Sequence, residues 1–273
     1  MTAFEKFMLF LESEMETPLC YGAFHIVALI LCAALTAFLI WKCKNCKDKT
    51  MRWIIGVSWV IIVVLELYKQ LVFSFNEDDL TWEYNWFYFP FQFCSTPLYV
   101  LPFVAFMKDG KIRDAMIAYT MTYSLFAGLC VMAYPGDVFI STIGINYQTM
   151  IHHGSQVTLG IFLAVHQRKK YSLNFFLSAG IVFLGMLILA LGFNTIGNKI
   201  LPDVGFNMFY IGPNEPCTLP LLSMIYPLVP WVVFFVIYAL GFSLVGALIA
   251  WISYSIYKGP KKKAKTVEQN ENY

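Results

Sequence analysis

Seven stretches of this chain, at 21–41, 53–75, 86–107, 115–134, 146–167, 173–195 and 227–257, are long and predominantly apolar. A bilayer core asks for about 20 such residues per helix, and each stretch meets that length. The last is long enough to tilt or to project beyond the bilayer. The apolar runs are continuous, whereas a membrane barrel alternates apolar and polar residues. The pattern predicts an all-α membrane protein: one polytopic domain over residues 1–257 folded as a seven-transmembrane-helix bundle. Composition agrees, since 13% of residues are charged and 59% hydrophobic, where soluble domains carry about 25% charge.

Basic residues set the orientation. Sixteen of the nineteen lie in four groups, at 42–52, 108–113, 168–170 and 258–265. Seven spans put all four groups on one side, and an even count would scatter them. The other side collects the acids: Glu5, Glu12, Glu14, Glu16, Glu77, Asp78, Asp79, Glu83, Asp137, Asp203 and Glu215. The expectation is an N-terminus outside, a C-terminus in the cytoplasm, and a multi-pass protein of the cell membrane. The acidic start lacks the basic opening of a signal peptide.

Two segments read differently. Residues 258–273, basic and then polar, are expected to form a disordered cytoplasmic tail. Residues 196–226 are too apolar for a free loop and too broken by Gly212, Pro213, Pro216 and Pro220 for a helix. They read as an outer lid or re-entrant segment, since irregular backbone at membrane depth must rest on protein.

Ionisable groups inside a span are costly and mark candidate sites. From the outer end of each span, at about 1.5 Å per residue, Glu66 lies roughly 14 Å deep, Cys94 roughly 12 Å, His153 roughly 10 Å and His25 roughly 6 Å. Four reactive side chains on four helices thus share the outer half of the membrane. Glu66, Lys69 and Gln70 stand at i, i+3 and i+4 on one face; an internal ion pair is the bland reading, and orienting a histidine or meeting a phosphate the functional one. With Pro90 in the first helical turn, Cys94 would sit near the positive end of its helix, which favours a thiolate. Pro97 would free the carbonyl of Phe93 and kink the helix beside it, with Gln92, Ser95 and Thr96 adding polar atoms. Gln148, His152 and Gln156 share one face of the fifth span, Thr149 and His153 the next. A histidine at the depth of a cysteine is a candidate base for a thiol nucleophile. The Cys43 and Cys46 pair has no second ligand pair to suggest a metal site. Cys20 and Cys217, both expected outside, leave a disulfide open. No phosphate loop, metalloprotease, serine-hydrolase or nucleic-acid motif is present, so no metal, cofactor or nucleic-acid partner is expected.

The order of these motifs resembles a known family. FHIVAL with His25, the Glu66/Gln70 face, PFQFCSTPLYVLP, IHHG, and FNMFYIGP with Asn207 and Tyr210 together are similar to the YwaF-like bacterial integral membrane proteins, and more distantly to the animal transmembrane-protein-164 acyltransferases. The resemblance implies a Cys/His pair that moves a fatty acyl group between phospholipids, with the nucleophile on Cys94 and the base on His153, the histidine before Gly154. Relatives commonly have a histidine where this chain has Gln92, so no acid–base role falls there, and His152 is additional.

The leading expectation is therefore a membrane lipid acyltransferase or acyl hydrolase. An acyl-thioester forms on Cys94 and is resolved by a lysophospholipid hydroxyl or by water. Gln70 is a candidate headgroup ligand, and the Gln92 amide with the amides at the start of the third span are candidate oxyanion donors. The alternative is a transporter or small-ligand binding protein whose polar path is lined by Glu66, Lys69 and His25.

Overall fold

In the computed structural model the backbone is described for residues 1–270 and side chains through Tyr257. The tail expected at 258–273 lies outside the fully described residues. A short helix α1 (Ala3–Leu11) opens the chain, capped by Thr2 and Glu5, each side chain bonding the other's backbone amide. Then come α2 (Ala23–Cys43), α3 (Asp48–Phe73), a small hairpin of β1 (Phe75–Asn76) and β2 (Thr81–Trp82), α4 (Pro97–Phe106), α5 (Lys111–Tyr119), α6 (Leu125–Ala133), α7 (Ile143–His166), α8 (Leu173–Ile200), α9 (Leu222–Ile225) and α10 (Trp231–Asn270). A single wide π turn over 120–124 joins α5 and α6 into one rod.

Five helices are long and apolar enough to cross a membrane: Ala23–Cys43, Asp48–Phe73, Lys111–Ala133, Leu173–Ile200 and Trp231–Tyr257. Among the described residues, that is two fewer than the seven continuous spans expected. The stretch at 146–167 is one helix, α7, but its buried asparagine, glutamines, threonines and histidines dilute its apolar character. The stretch at 86–107 is not a continuous helix. It runs as irregular chain with two 3-10 turns before α4 begins at Pro97.

The outer surfaces are apolar, as lipid demands. Ile30 and Leu31 on α2, Ile181 and Ile188 on α8, and Leu240 and Leu244 on α10 are all exposed. The polar groups point inward instead. The α5–α6 rod packs tightly on α7 because small residues meet there. A Cβ on Gly128 would fall 2.7 Å from the His153 carbonyl oxygen, and one on Gly160 would fall 2.7 Å from the Leu125 Cβ.

Three basic loops gather at one end of the bundle. Arg168 donates to the Lys44 carbonyl at 3.2 Å and to Asn45 at 2.6 Å, and His166 donates to the Cys46 carbonyl at 3.0 Å. Arg52 reaches Asp109 at 3.0 Å, and Arg113 reaches Asp48 at 2.9 Å. At the other end, Met15 and Ile143 exchange backbone bonds with Ser141 and Ser13, and Tyr68 at the end of α3 donates to the Leu11 carbonyl at 2.7 Å.

The segment expected as a lid starts later than 196, because α8 runs to Ile200. Beyond it, Phe206, Met208, Phe209, Ile211 and Cys217 are buried in the main core. All seven cysteines are free thiols, Cys20 and Cys217 included.

Candidate functional site

Two prolines shape the segment that carries Cys94. The residue before a proline is pushed out of the helical region, and Phe89, ahead of Pro90, is extended at φ −47°, ψ 128°. Pro97 lacks an amide proton and takes the first turn of α4, where none is needed. Pro90 is therefore not in a helix, and Pro97 starts one rather than kinking it. Cys94 sits in the 3-10 turn Phe93–Ser95, between the two prolines.

Irregular backbone inside a membrane protein must find hydrogen-bond partners outside its own helix. Here they come from side chains of the segment itself, of α4 that continues it, and of the surrounding helices. Gln70 donates to the Tyr88 carbonyl at 2.8 Å, Tyr99 to that of Pro90 at 2.8 Å, and Thr96 to that of Phe93 at 2.8 Å. The Cys94 carbonyl accepts twice, from His152 Nε2 at 2.8 Å and from Gln156 Nε2 at 2.7 Å. Tyr119 on the rod holds Thr96 at 3.0 Å. One turn further on, Pro102 removes the helical partner of the Leu98 carbonyl, and Trp59 Nε1 replaces it at 3.0 Å.

The site thus lies between α3 and α7. On α3, Glu66 Oε1 accepts from Lys69 at 2.8 Å and from Gln70 at 2.6 Å, so the ion pair seen as the bland reading is present. On α7, His152 carries its proton on Nε2, because a carbonyl faces that atom. His153 carries its proton on Nδ1, donated to the Thr149 carbonyl at 2.8 Å. Each ring keeps one lone-pair nitrogen without a partner: His152 Nδ1 and His153 Nε2. The two rings lie edge to face with centroids 5.0 Å apart. Glu66 and Lys69 are near enough for their charges to be felt at the Cys94 thiol and at His152. No described hydrogen bond joins the Cys94 thiol to either imidazole. The link between cysteine and histidine runs through the Cys94 backbone.

Other expected site residues bond to nearby backbone and side chains. His25 accepts from the Tyr21 amide at Nδ1 and donates from Nε2 to the Met132 carbonyl, both at 2.9 Å, so neither nitrogen is left for a polar path. Gln92 bonds the Asn207 carbonyl at 3.1 Å and the Phe209 amide at 2.8 Å. One proton of its amide and its carbonyl oxygen are thus engaged by the 207–209 backbone. Asn207 closes its own loop through Gly212 and Pro216, each at 2.9 Å. Tyr210 follows Phe209 in the left-handed region, at φ 57° and 58°, and its hydroxyl reaches Thr218. Asn194 on α8 brackets Met208 through both backbone groups, at 2.6 and 3.0 Å.

Sequence reasoning missed Trp59, Tyr99, Tyr119 and Asn194. Only Trp59 had a signal, since Pro102 announces an orphaned carbonyl four residues earlier.

A family model for the TMEM164 family matches residues 20–254, from just before α2 to near the end of the fully described part of α10. The chain belongs to that family. No curated protein matches it, and no solved structure does. For a TMEM164 family member, the proline-bounded Cys94 turn and the α7 histidine face both lie within the matched region.

Proposed function

We propose that this TMEM164 family protein is a cysteine-dependent lipid acyltransferase or acyl hydrolase of the cell membrane. It crosses the bilayer seven times, with the N-terminus outside and the C-terminus in the cytoplasm. The two legs beyond the five apolar helices are α7, whose 24 residues span about 36 Å at 1.5 Å each, and the irregular segment continued by α4. The meeting of three basic loops at one end supports this topology.

One observation carries the chemical reading: Cys94 sits in a non-helical turn clamped by its own carbonyl to the histidine face of α7. The clamp brings the thiol to a helix that also bears a neutral imidazole nitrogen with a free lone pair, His153 Nε2. In the reaction His153 Nε2 takes the thiol proton, and the thiolate attacks the carbonyl carbon of an acyl ester. The ester C–O bond breaks, and the departing alkoxide takes the proton from His153. An acyl-thioester remains on Cys94. A hydroxyl of a lysophospholipid, or water, then gives its proton to His153 and attacks the thioester, and the thiol is restored. His152 positions the turn.

The test is acyl transfer from phospholipid with a radiolabelled acyl chain to the purified protein. Label on the wild-type chain, released by hydroxylamine and absent from Cys94→Ala, is the expected result. Label that persists in Cys94→Ala overturns the mechanism.

A further inference from the structure

The atoms left without partners between α3 and α7 share one chemical character. Glu66 Oε2, Gln70 Oε1, His152 Nδ1, His153 Nε2 and Gln156 Oε1 are all hydrogen-bond acceptors. Their roles are set by the bonds their neighbouring atoms make. The amide nitrogens of Gln70 and Gln156 face the carbonyls of Tyr88 and Cys94, so the oxygens turn elsewhere. The protons of both imidazoles are on carbonyls, so the other ring nitrogens carry lone pairs. Glu66, His152, His153 and Gln156 are each more than nine-tenths buried. Buried polar groups are as a rule hydrogen-bonded, and the spare protons nearby, two on Lys69 and one on Gln156, are fewer than these five acceptor atoms, so the cluster favours something that donates.

Charge narrows the choice of donor. The Glu66 carboxylate already has an ammonium, Lys69, at 2.8 Å. The two glutamines and two histidines add no charge. A second cation would meet Lys69, whose charge reaches both rings, with no unpaired carboxylate to offset it. Hydroxyls meet the acceptors without that repulsion.

We propose that the acceptor cluster of Glu66, Gln70, His152 and Gln156 seats an uncharged polyhydroxyl group, a glycerol or sugar unit, with His153 Nε2 beside it. The proposal names the substrate class of the acyl-transfer site and rests on that reading for turnover; the binding itself does not require it. The polyol is either a lipid head group or a free polyol, and the same chemistry recognises both.

The probes are lysophosphatidylglycerol, lysophosphatidylserine and lysophosphatidylcholine with one acyl chain, bound to the full-length wild-type protein in detergent. The first two match in net charge, so a preference between them sets glycerol hydroxyls against the ammonium and carboxylate of serine. Preference for the glycerol head by about tenfold, the size of one to two net hydrogen bonds, is expected, and Glu66→Gln should narrow it. Displacement of lysophosphatidylglycerol by millimolar free glycerol would support the polyol class and assign it to a free polyol; resistance to glycerol alongside the preference assigns it to the head group. Equal binding of the three lipids by the wild-type chain overturns the proposal, and that comparison needs no variant to fold. If the lipids bind equally while Cys94 still takes label, this inference falls and the acyl-transfer reading stands. If the preference holds but Cys94→Ala still takes label, the mechanism falls and the polyol seat stands.

Discussion

His152 donates its Nε2 proton to the carbonyl oxygen of Cys94 at 2.8 Å, and so holds the reactive cysteine by its backbone rather than by its sulfur. Gln156, one turn along α7, donates to the same oxygen. Losing either donor leaves a buried carbonyl with half its support. His152→Phe should lower stability by about 1–3 kcal/mol, and Gln156→Leu by a similar amount. The double variant should fall by more than the sum, because the carbonyl then has no partner. Thermal unfolding in detergent reads all three. Unchanged stability in both single variants would show that the clamp is not a structural tie.

Trp59 and Pro102 form a second, separable device. Pro102 takes away the amide that would pair with the Leu98 carbonyl, and Trp59 supplies an indole N–H in its place. Trp59→Phe keeps most of the ring and should cost about 1–3 kcal/mol through the orphaned carbonyl. Pro102→Ala returns an amide to the helix, so Trp59→Phe should be milder in the Pro102→Ala background. A double-mutant cycle on unfolding midpoints checks this, and additive effects would rule out the exchange of partners.

The apolar runs were legible because lipid replaces water around them, and five of the seven expected stretches form helices long and apolar enough to span. The segment from 86 to 96 was misread for a physical reason. Hydropathy sees Phe87, Phe89, Phe91 and Phe93 as span residues but does not see that Pro90 and Pro97 divide the backbone between them. The same blindness affected the polar residues. Gln70, Gln92, His152 and Gln156 looked like chemistry in a span, and each pairs backbone groups that the irregular chain leaves open. Depth along separate helices puts α3, Cys94 and the α7 histidines at one level, and in the structure His152 and Gln156 bond the Cys94 carbonyl. It could not separate His25, whose ring ties α2 to the end of α6.

The loop after α8 stores strain that Asn194 holds in place. Phe209 and Tyr210 both adopt left-handed backbone, at roughly 1–2 kcal/mol per residue. Asn194 pairs with both the amide and the carbonyl of Met208 just ahead of them. Asn194→Leu removes both bonds and should let 206–211 relax toward ordinary backbone, freeing Gln92 from the loop. Hydrogen exchange is expected to rise over 206–211 by about tenfold or more, as for a loss of at least 1.4 kcal/mol, while α2 and α3 stay protected. Uniform loss of protection across the bundle would instead mean that Asn194 supports the whole core.

The N-terminal helix should be docked by a proton. Glu12, at the end of α1, is 7% exposed, and its Oε2 has no described partner. Burial, then its hydrogen bond to Glu77 and the charge of that carboxyl, push Glu12 from 4.5 up to about 7. On α3 the neighbouring titratable group is Tyr68, whose hydroxyl holds the Leu11 carbonyl; it supplies no positive charge. A carboxyl whose pKa rises on folding binds its proton more tightly in the docked state than in the released one. Docking is therefore strongest below about 4.5 and weakens as pH climbs toward about 7. Above that, two carboxylates repel and no further change follows. Protection factors for 3–11 should fall between pH 5 and 8 in the wild type and stay level in Glu12→Gln, whose amide has no charge to lose. A wild-type profile as flat as that of Glu12→Gln would show that Glu12 and Glu77 do not share a proton across this contact.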